Sequence, residues 1–242
     1  MMPFSVSPSI YDNHRKPRRM IVEDILGTIA AGTSGSRHVI DIGCGTGAYA
    51  SEIGGRLGIF VLGVDVSDDM ITVAATKNHI QVLRHDCERG LPGEVAGFSF
   101  VYAVNFLHYV NELGLLFRSV YGSLHEGGCF YMAVHSQDDL AQQSLGRYFP
   151  EAIAVESTLI HSPDEIVGTL ESVGFAGITI STLQQQYELT VEHFEAFRSG
   201  AYNCLHAIPS KSIGLGLSRL HSDIGRGALG TSSYTIVKSY KT

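Results

Sequence analysis

No stretch of this chain approaches the 18 or so consecutive apolar residues of a membrane span. No apolar run follows a basic start at residues 1–13 either, so neither a spanning helix nor a secretory leader is expected. Basic residues are few: 17 Lys and Arg stand against 24 Asp and Glu, a net charge of −7. That balance argues against a dedicated nucleic-acid binder, which draws on clustered positive charge. The four cysteines, Cys44, Cys87, Cys129 and Cys204, show neither metal-ligand spacing nor a small disulfide framework. A reduced, cytoplasmic setting follows as the simpler expectation. There are eleven histidines, but no two stand four apart, and no metal site is expected.

What is present is core-forming material: 44% of the residues are hydrophobic and 17% charged. At about 150 residues per domain, 242 residues make one domain, or one with a substantial insertion. Residues 1–13 read as a polar arm, followed by the basic cluster His14 to Arg19. Met20, Ile21, Ile25, Leu26 and Ile29 then recur at helical spacing up to Gly32. Short apolar runs at 39–42, 59–64, 80–83, 98–104 and 129–134 alternate with helical patterns. Strands apolar on both faces, separated by helices, predict a parallel sheet covered on both sides. Right-handed crossovers make it doubly wound. Ser162-Pro163-Asp164-Glu165 is a strong helix start. A strand begins at Ile178, helices are expected near 190–199 and 210–224, and a last strand runs through Ser233 to Lys238. The expected organisation is an arm and helix at 1–36, a core at 37–183, a helical cap at 184–230 and a closing strand at 231–242.

The segment Asp41-Ile42-Gly43-Cys44-Gly45-Thr46-Gly47 directly follows the first predicted strand. Its glycines permit a tight turn and close approach of a ligand to the backbone. Asp65 ends the second strand, 22 residues after Gly43, at the spacing of a ribose-binding carboxylate. Asp86 follows the third strand. Three acids at successive strand ends fall on the sheet edge where open α/β folds bind ligands. Such a row suits hydroxyls, amines and a cation better than a pyrophosphate. The dinucleotide spacing G-x-G-x-x-G is also broken, since the third glycine comes early, at 47.

With these motifs the sequence resembles the class I S-adenosylmethionine-dependent methyltransferases, well over roughly residues 15–135 and in outline beyond. The resemblance implies a doubly wound, mostly parallel seven-stranded α/β sheet of the Rossmann-like methyltransferase kind, with an N-terminal helical arm and a helical insertion before the last strand. It implies S-adenosylmethionine as cofactor and S-adenosylhomocysteine as product. Asp41 and the backbone of Gly43, Cys44, Gly45 and Gly47 would hold the methionine part. Asp65 would take the ribose hydroxyls, with Val66 and Met70 beside the adenine. Asp86 would accept from the adenine amino group, near the Cys87 amide. Asn105 would line the methionine side, followed by Phe106. Tyr11-Asp12 with Arg15, Pro17 and Arg19 looks like the arm of small-molecule members, which folds over the cofactor.

His108 and Tyr109, after the fourth strand, are candidates to touch substrate, His108 also as a base. His135 ends the fifth strand, either as a base or as a solvated strand-end histidine. Tyr11 and Phe106 offer aromatic faces to a cationic sulfur. Arg147 and Arg198 are either surface charges that support the fold or clamps for a substrate carboxylate. A small metabolite is the expected acceptor and a monomer or homodimer the expected assembly. The alternatives are an RNA or protein acceptor, which only the basic cluster supports, a nicotinamide-dependent oxidoreductase, and a binding module without turnover.

Overall fold

The computed structural model describes residues 6–32, 38–93 and 95–242. The first five residues of the arm and residues 33–37 before the first core strand lie outside them. In chain order the elements begin with α1 (Pro8–His14), α2 (Arg19–Gly32), β1 (Val39–Ile42), α3 (Ala48–Leu57) and β2 (Val61–Asp65). They continue with α4 (Asp68–Ala74), β3 (Ile80–Arg84), β4 (Phe98–Val104), α5 (Leu113–Ser123) and β5 (Leu124–Val134). Next come α6 (Gln137–Gln142), α7 (Ser144–Tyr148), α8 (Pro150–Glu156), α9 (Pro163–Val173) and β6 (Ala176–Glu188). The chain closes with α10 (Val191–Arg198), α11 (Ser210–Ile224) and β7 (Leu229–Tyr240).

The seven strands form one sheet in the order β3-β2-β1-β4-β5-β7-β6. β1 to β5 pair in parallel, and β7 runs antiparallel to β5. The expected doubly wound, mostly parallel sheet is therefore present. Its order reverses between β1 and β4, so the carboxyl ends of β1, β2 and β4 flank the crevice where such sheets take ligands. Every residue of β1 is buried, as a central parallel strand requires.

Two compact units divide the chain. The core unit comprises Pro17–Val134, His161–Ser181 and Thr235–Thr242. Its interior gathers Ile40, Ile42, Val101, Phe117, Phe130 and Ile166, all fully buried. The helical unit comprises Met1–Lys16, His135–Ile160 and Thr182–Tyr234. It has a separate core around Phe149, Phe197, Leu205 and Leu220. The compact unit that contains residues 184–230 thus also takes in α1 and the helices after β5.

Local chemistry explains most of the boundaries. Ser67 caps α4, with Asp68 and Asp69 in its first turn, and Ser162 caps α9 with Pro163 at its first position. Gly174 closes α9 with φ +107°. The strand expected from Cys129 starts earlier, at Leu124, and a shift in pairing between Phe98 and Phe100 absorbs the extra residues around Gly127-Gly128. The polar arm forms a helix, α1, because Ser7 caps it ahead of Pro8. Among the described residues no helix is long and apolar enough to cross a membrane.

Candidate functional site

The site is built on the β1–α3 turn of the core unit. Gly43, Gly45 and Gly47 all take positive φ, between 53° and 74°. A Cβ on Gly43 would stand 2.1 Å from Phe106 Cδ2, so glycine is required there by space as well as by backbone. The turn's amides are already committed. Gly43 and Cys44 both donate to the Val64 carbonyl, at 2.8 and 3.1 Å, and Gly47 donates to the Cys44 carbonyl at 2.9 Å. Gly45 N–H donates to Asp65 Oδ2 at 2.8 Å. A pyrophosphate loop presents such amides to its ligand; here four of them are spent within the fold.

Carboxylates take their place. Asp65, at the end of β2, accepts from Gly45 on one oxygen and from Ser67 N–H on the other, at 2.9 Å. Each oxygen keeps lone-pair capacity for a hydroxyl. Val66 follows with 55% of its surface exposed, an apolar side chain held out beside a carboxylate. Asp86 caps the short turn Cys87–Arg89 through Glu88 N–H at 3.1 Å, and Arg89 Nε approaches it at 3.3 Å. Cys87 is buried, which pushes its thiol up to about 12, so its backbone rather than its sulfur is suited to contact a ligand. Burial raises the Cys44 thiol in the same way. Met70 is buried, so any part it takes beside an adenine is that of a wall.

Asp41 is 2% exposed, and its Oδ2 has no hydrogen-bond partner among the described residues. Burial pushes its pKa up to about 8, and the neighbouring Asp65 charge adds to this. The Tyr102 hydroxyl and the Ala50 amide oppose the shift. Ala50 lies in the first turn of α3, so an acidic group already stands where a helix would otherwise attract a phosphate. Tyr102, paired with Asp41 across β1 and β4, is a contact the motif search missed. Its signal was a tyrosine within an apolar strand. Asn105 ends β4 at φ +54°, in a left-handed conformation of the kind that clusters at functional sites. The row of hydroxyl-accepting carboxylates beside spent amides fits a ligand with ribose hydroxyls and a positive charge, and it does not fit a dinucleotide pyrophosphate.

Residues 39–128 match a family model described as a methyltransferase domain. Over this stretch the chain is similar to methyltransferase domains. A Geobacillus sp. protein described as a methyltransferase is 31% identical over 112 residues, covering 43% of this chain and 45% of that protein. The 18S rRNA (guanine-N(7))-methyltransferase bud23 of Schizosaccharomyces pombe is 27% identical over 124 residues, 46% of each chain. The matched stretch thus spans less than half the length of these curated relatives. The solved Haemonchus contortus phosphoethanolamine N-methyltransferase 2, with phosphomonomethylethanolamine and S-adenosylhomocysteine, shares the fold at a TM-score of 0.61 and 18% identity. That likeness covers 97% of this chain and 56% of that one.

The other candidate residues divide between the two units. In the core unit His108, half-buried after β4, packs its ring 4.1 Å from that of Tyr109. In the helical unit Gln143 Nε2 lies 2.7 Å from His135 Nδ1 and donates to the Ser233 carbonyl at 3.1 Å. The same Nδ1 stands 3.1 Å from the Ser233 carbonyl, so this ring nitrogen is held between an amide donor and a carbonyl acceptor. Tyr11, on α1, belongs to the helical unit. Arg147 pairs with Asp223 at 2.8 Å and donates to the Leu229 carbonyl at 3.2 Å. Arg198 pairs with Glu195 one helical turn away. Both arginines therefore have carboxylate partners within the protein. Among the described residues no three metal-ligating side chains are gathered.

Proposed function

We propose that the protein is an S-adenosylmethionine-dependent methyltransferase acting on a small-molecule acceptor. The observation that carries the reading is the Asp65 carboxylate bound to the Gly45 amide at the edge of β2, beside turn amides that are already spent. Asp65 holds the ribose hydroxyls, with Val66 against the adenine and Met70 behind it. Asp86 and the Cys87 amide meet the adenine edge. Asp41, the backbone of Gly43, Cys44, Gly45 and Gly47, and Asn105 with Phe106 surround the methionine end. When bound, the cofactor supplies a methyl group already activated as a sulfonium. The residues of this chain then align the acceptor and exclude water. His108 and Tyr109, next after Asn105 and Phe106, are placed to line the acceptor. His108 takes a proton where the acceptor atom carries one.

Similar proteins include an rRNA and a phosphoethanolamine methyltransferase by name, so likeness alone does not choose the acceptor. The charge of −7 favours a small molecule over a polyanion. Methyl transfer to a panel of small amines, phenols and acids, and to total RNA, at 50 and 200 mM salt tests this. Turnover of a small acceptor that changes little with salt is expected. Transfer to RNA alone would overturn the reading; binding that neutralises six or more phosphates should lose on the order of 10³-fold affinity over that interval.

A further inference from the structure

A row of polar side chains crosses the interior of the core unit. Asp41 pairs in register with Tyr102, Tyr102 with Tyr131, and Tyr131 with Lys238. The four therefore lie across β1, β4, β5 and β7 on one face of the sheet. Tyr49 of α3 acts on both buried tyrosines, and Asp24 of α2 meets the far end of the row. At that far end the charges balance: Lys238 Nζ stands 3.1 and 3.0 Å from the two oxygens of Asp24. At the near end they do not. Asp41 is 2% exposed, and its Oδ2 has no hydrogen-bond partner among the described residues. Nor does Asp41 join an ion pair among them. The backbone of Lys238 is three strands away, about 14 Å at ~4.8 Å per strand. Four groups face Asp41: the Asp65 carboxylate from β2, the Cys44 thiol from the turn, the Tyr102 hydroxyl from β4 and the Ala50 amide from α3. None of these is a cation. A carboxyl buried in this way is neutralised by a proton or by a positive charge brought to it. Burial, with the Asp65 charge adding to it, keeps the proton in place up to about pH 8.

We infer that Asp41 exchanges its proton for the positive charge of the cofactor's methionine end, releasing one proton to solvent for each molecule bound, and that Tyr102 positions the resulting carboxylate. The inference rests on the methyltransferase reading above. The Asp41 O–H bond breaks, the proton passes to the buffer, and the carboxylate left behind balances the incoming ammonium. Ionised Oδ2 is then an acceptor for the Tyr102 hydroxyl, which also has no hydrogen-bond partner among the described residues. A phenol donor favours the charged form of a carboxyl, so Tyr102 sets the pH at which the exchange is complete.

The test is calorimetric titration of the full chain with S-adenosylhomocysteine, which carries the same ammonium. It is run in PIPES and in imidazole, buffers of low and high ionisation enthalpy, so that the difference in heat counts the protons released. Close to one proton per molecule bound is expected at about pH 6.5. Affinity should rise about tenfold from pH 6 to pH 7, the slope of a single linked proton, and level off near pH 8. Asp41→Asn should bind more weakly, release almost no proton and keep a flat profile. Tyr102→Phe should still release a proton, bind about 2- to 10-fold more weakly at pH 6.5, the range of one hydrogen bond, and go on gaining affinity past pH 8. In wild type alone, the infrared band of a protonated carboxyl should disappear on binding. Binding by wild type without proton release, or with that band unchanged, would overturn the inference and leave the methyltransferase reading standing. Equal release by Asp41→Asn would do the same, since the proton would come from another group. Loss by one constant factor at every pH in Tyr102→Phe would overturn the part given to Tyr102. Failure of wild type to bind at any pH would overturn the reading and the inference together.

Discussion

Replacing Gly43 by alanine sets two costs against each other in a way that can be separated. At φ +68° an L-residue loses roughly 1–2 kcal/mol relative to glycine. The new methyl would also lie 2.1 and 2.4 Å from Phe106 Cδ2 and Cγ, well inside contact distance. Displacing that ring adds an overpacking cost of about 1–3 kcal/mol. Gly43→Ala should therefore destabilise the protein by about 2–5 kcal/mol. Phe106→Ala removes the obstruction but not the backbone strain. In the Gly43→Ala/Phe106→Ala double variant the combined loss should fall short of the sum of the singles by about 1–3 kcal/mol. Urea unfolding of wild type and the three variants measures this cycle directly. Additivity to within about 0.5 kcal/mol would refute the packing of Phe106 on the turn, because independent sites add to that accuracy.

Other consequences follow from the same geometry. Asp41 keeps its proton in the folded protein up to about pH 8, whereas an unfolded aspartate loses it near 3.9. The folded state therefore binds the extra proton across this window, and the stability from neutral Asp41, full below about pH 4, declines as pH rises towards 8. Ligand-free Asp41→Asn should gain on wild type in urea unfolding between pH 5 and pH 8; parallel curves would contradict the burial argument. Arg147→Met should cost about 1 kcal/mol, because the half-exposed pair with Asp223 is screened by solvent. Melting should fall by about 2–4 °C with acceptor KM unchanged. A raised KM without a loss of stability would instead make Arg147 a substrate clamp.

The sheet was legible from the sequence because central parallel strands must be apolar on both faces, as Val39-Ile40-Asp41-Ile42 and Phe98 to Val104 are. The turn was legible because positive φ at three positions leaves few residues but glycine. Helices α6, α7 and α8 were not legible, since five to seven residues carry little periodicity. Only the Ser136–Asp139 capping box marked α6. Among the candidate site residues, spacing placed Asp65 and Asp86 at their strand ends. It could not show that Arg147 pairs with Asp223, or that Gln143 bridges His135 and the Ser233 carbonyl. Those facts depend on contacts remote in sequence, such as Arg147 with Asp223 and Gln143 with Ser233.

The central claim is that this turn holds S-adenosylmethionine through carboxylates and not a dinucleotide through amides. Calorimetric titration of wild type and Asp65→Ala with S-adenosylhomocysteine and with NADH tests it most directly. Micromolar binding of S-adenosylhomocysteine is expected, weakened at least about 100-fold in Asp65→Ala, where two charge-assisted hydroxyl bonds are lost. NADH should not compete. NADH binding in its place, or S-adenosylhomocysteine affinity indifferent to Asp65, would contradict the account.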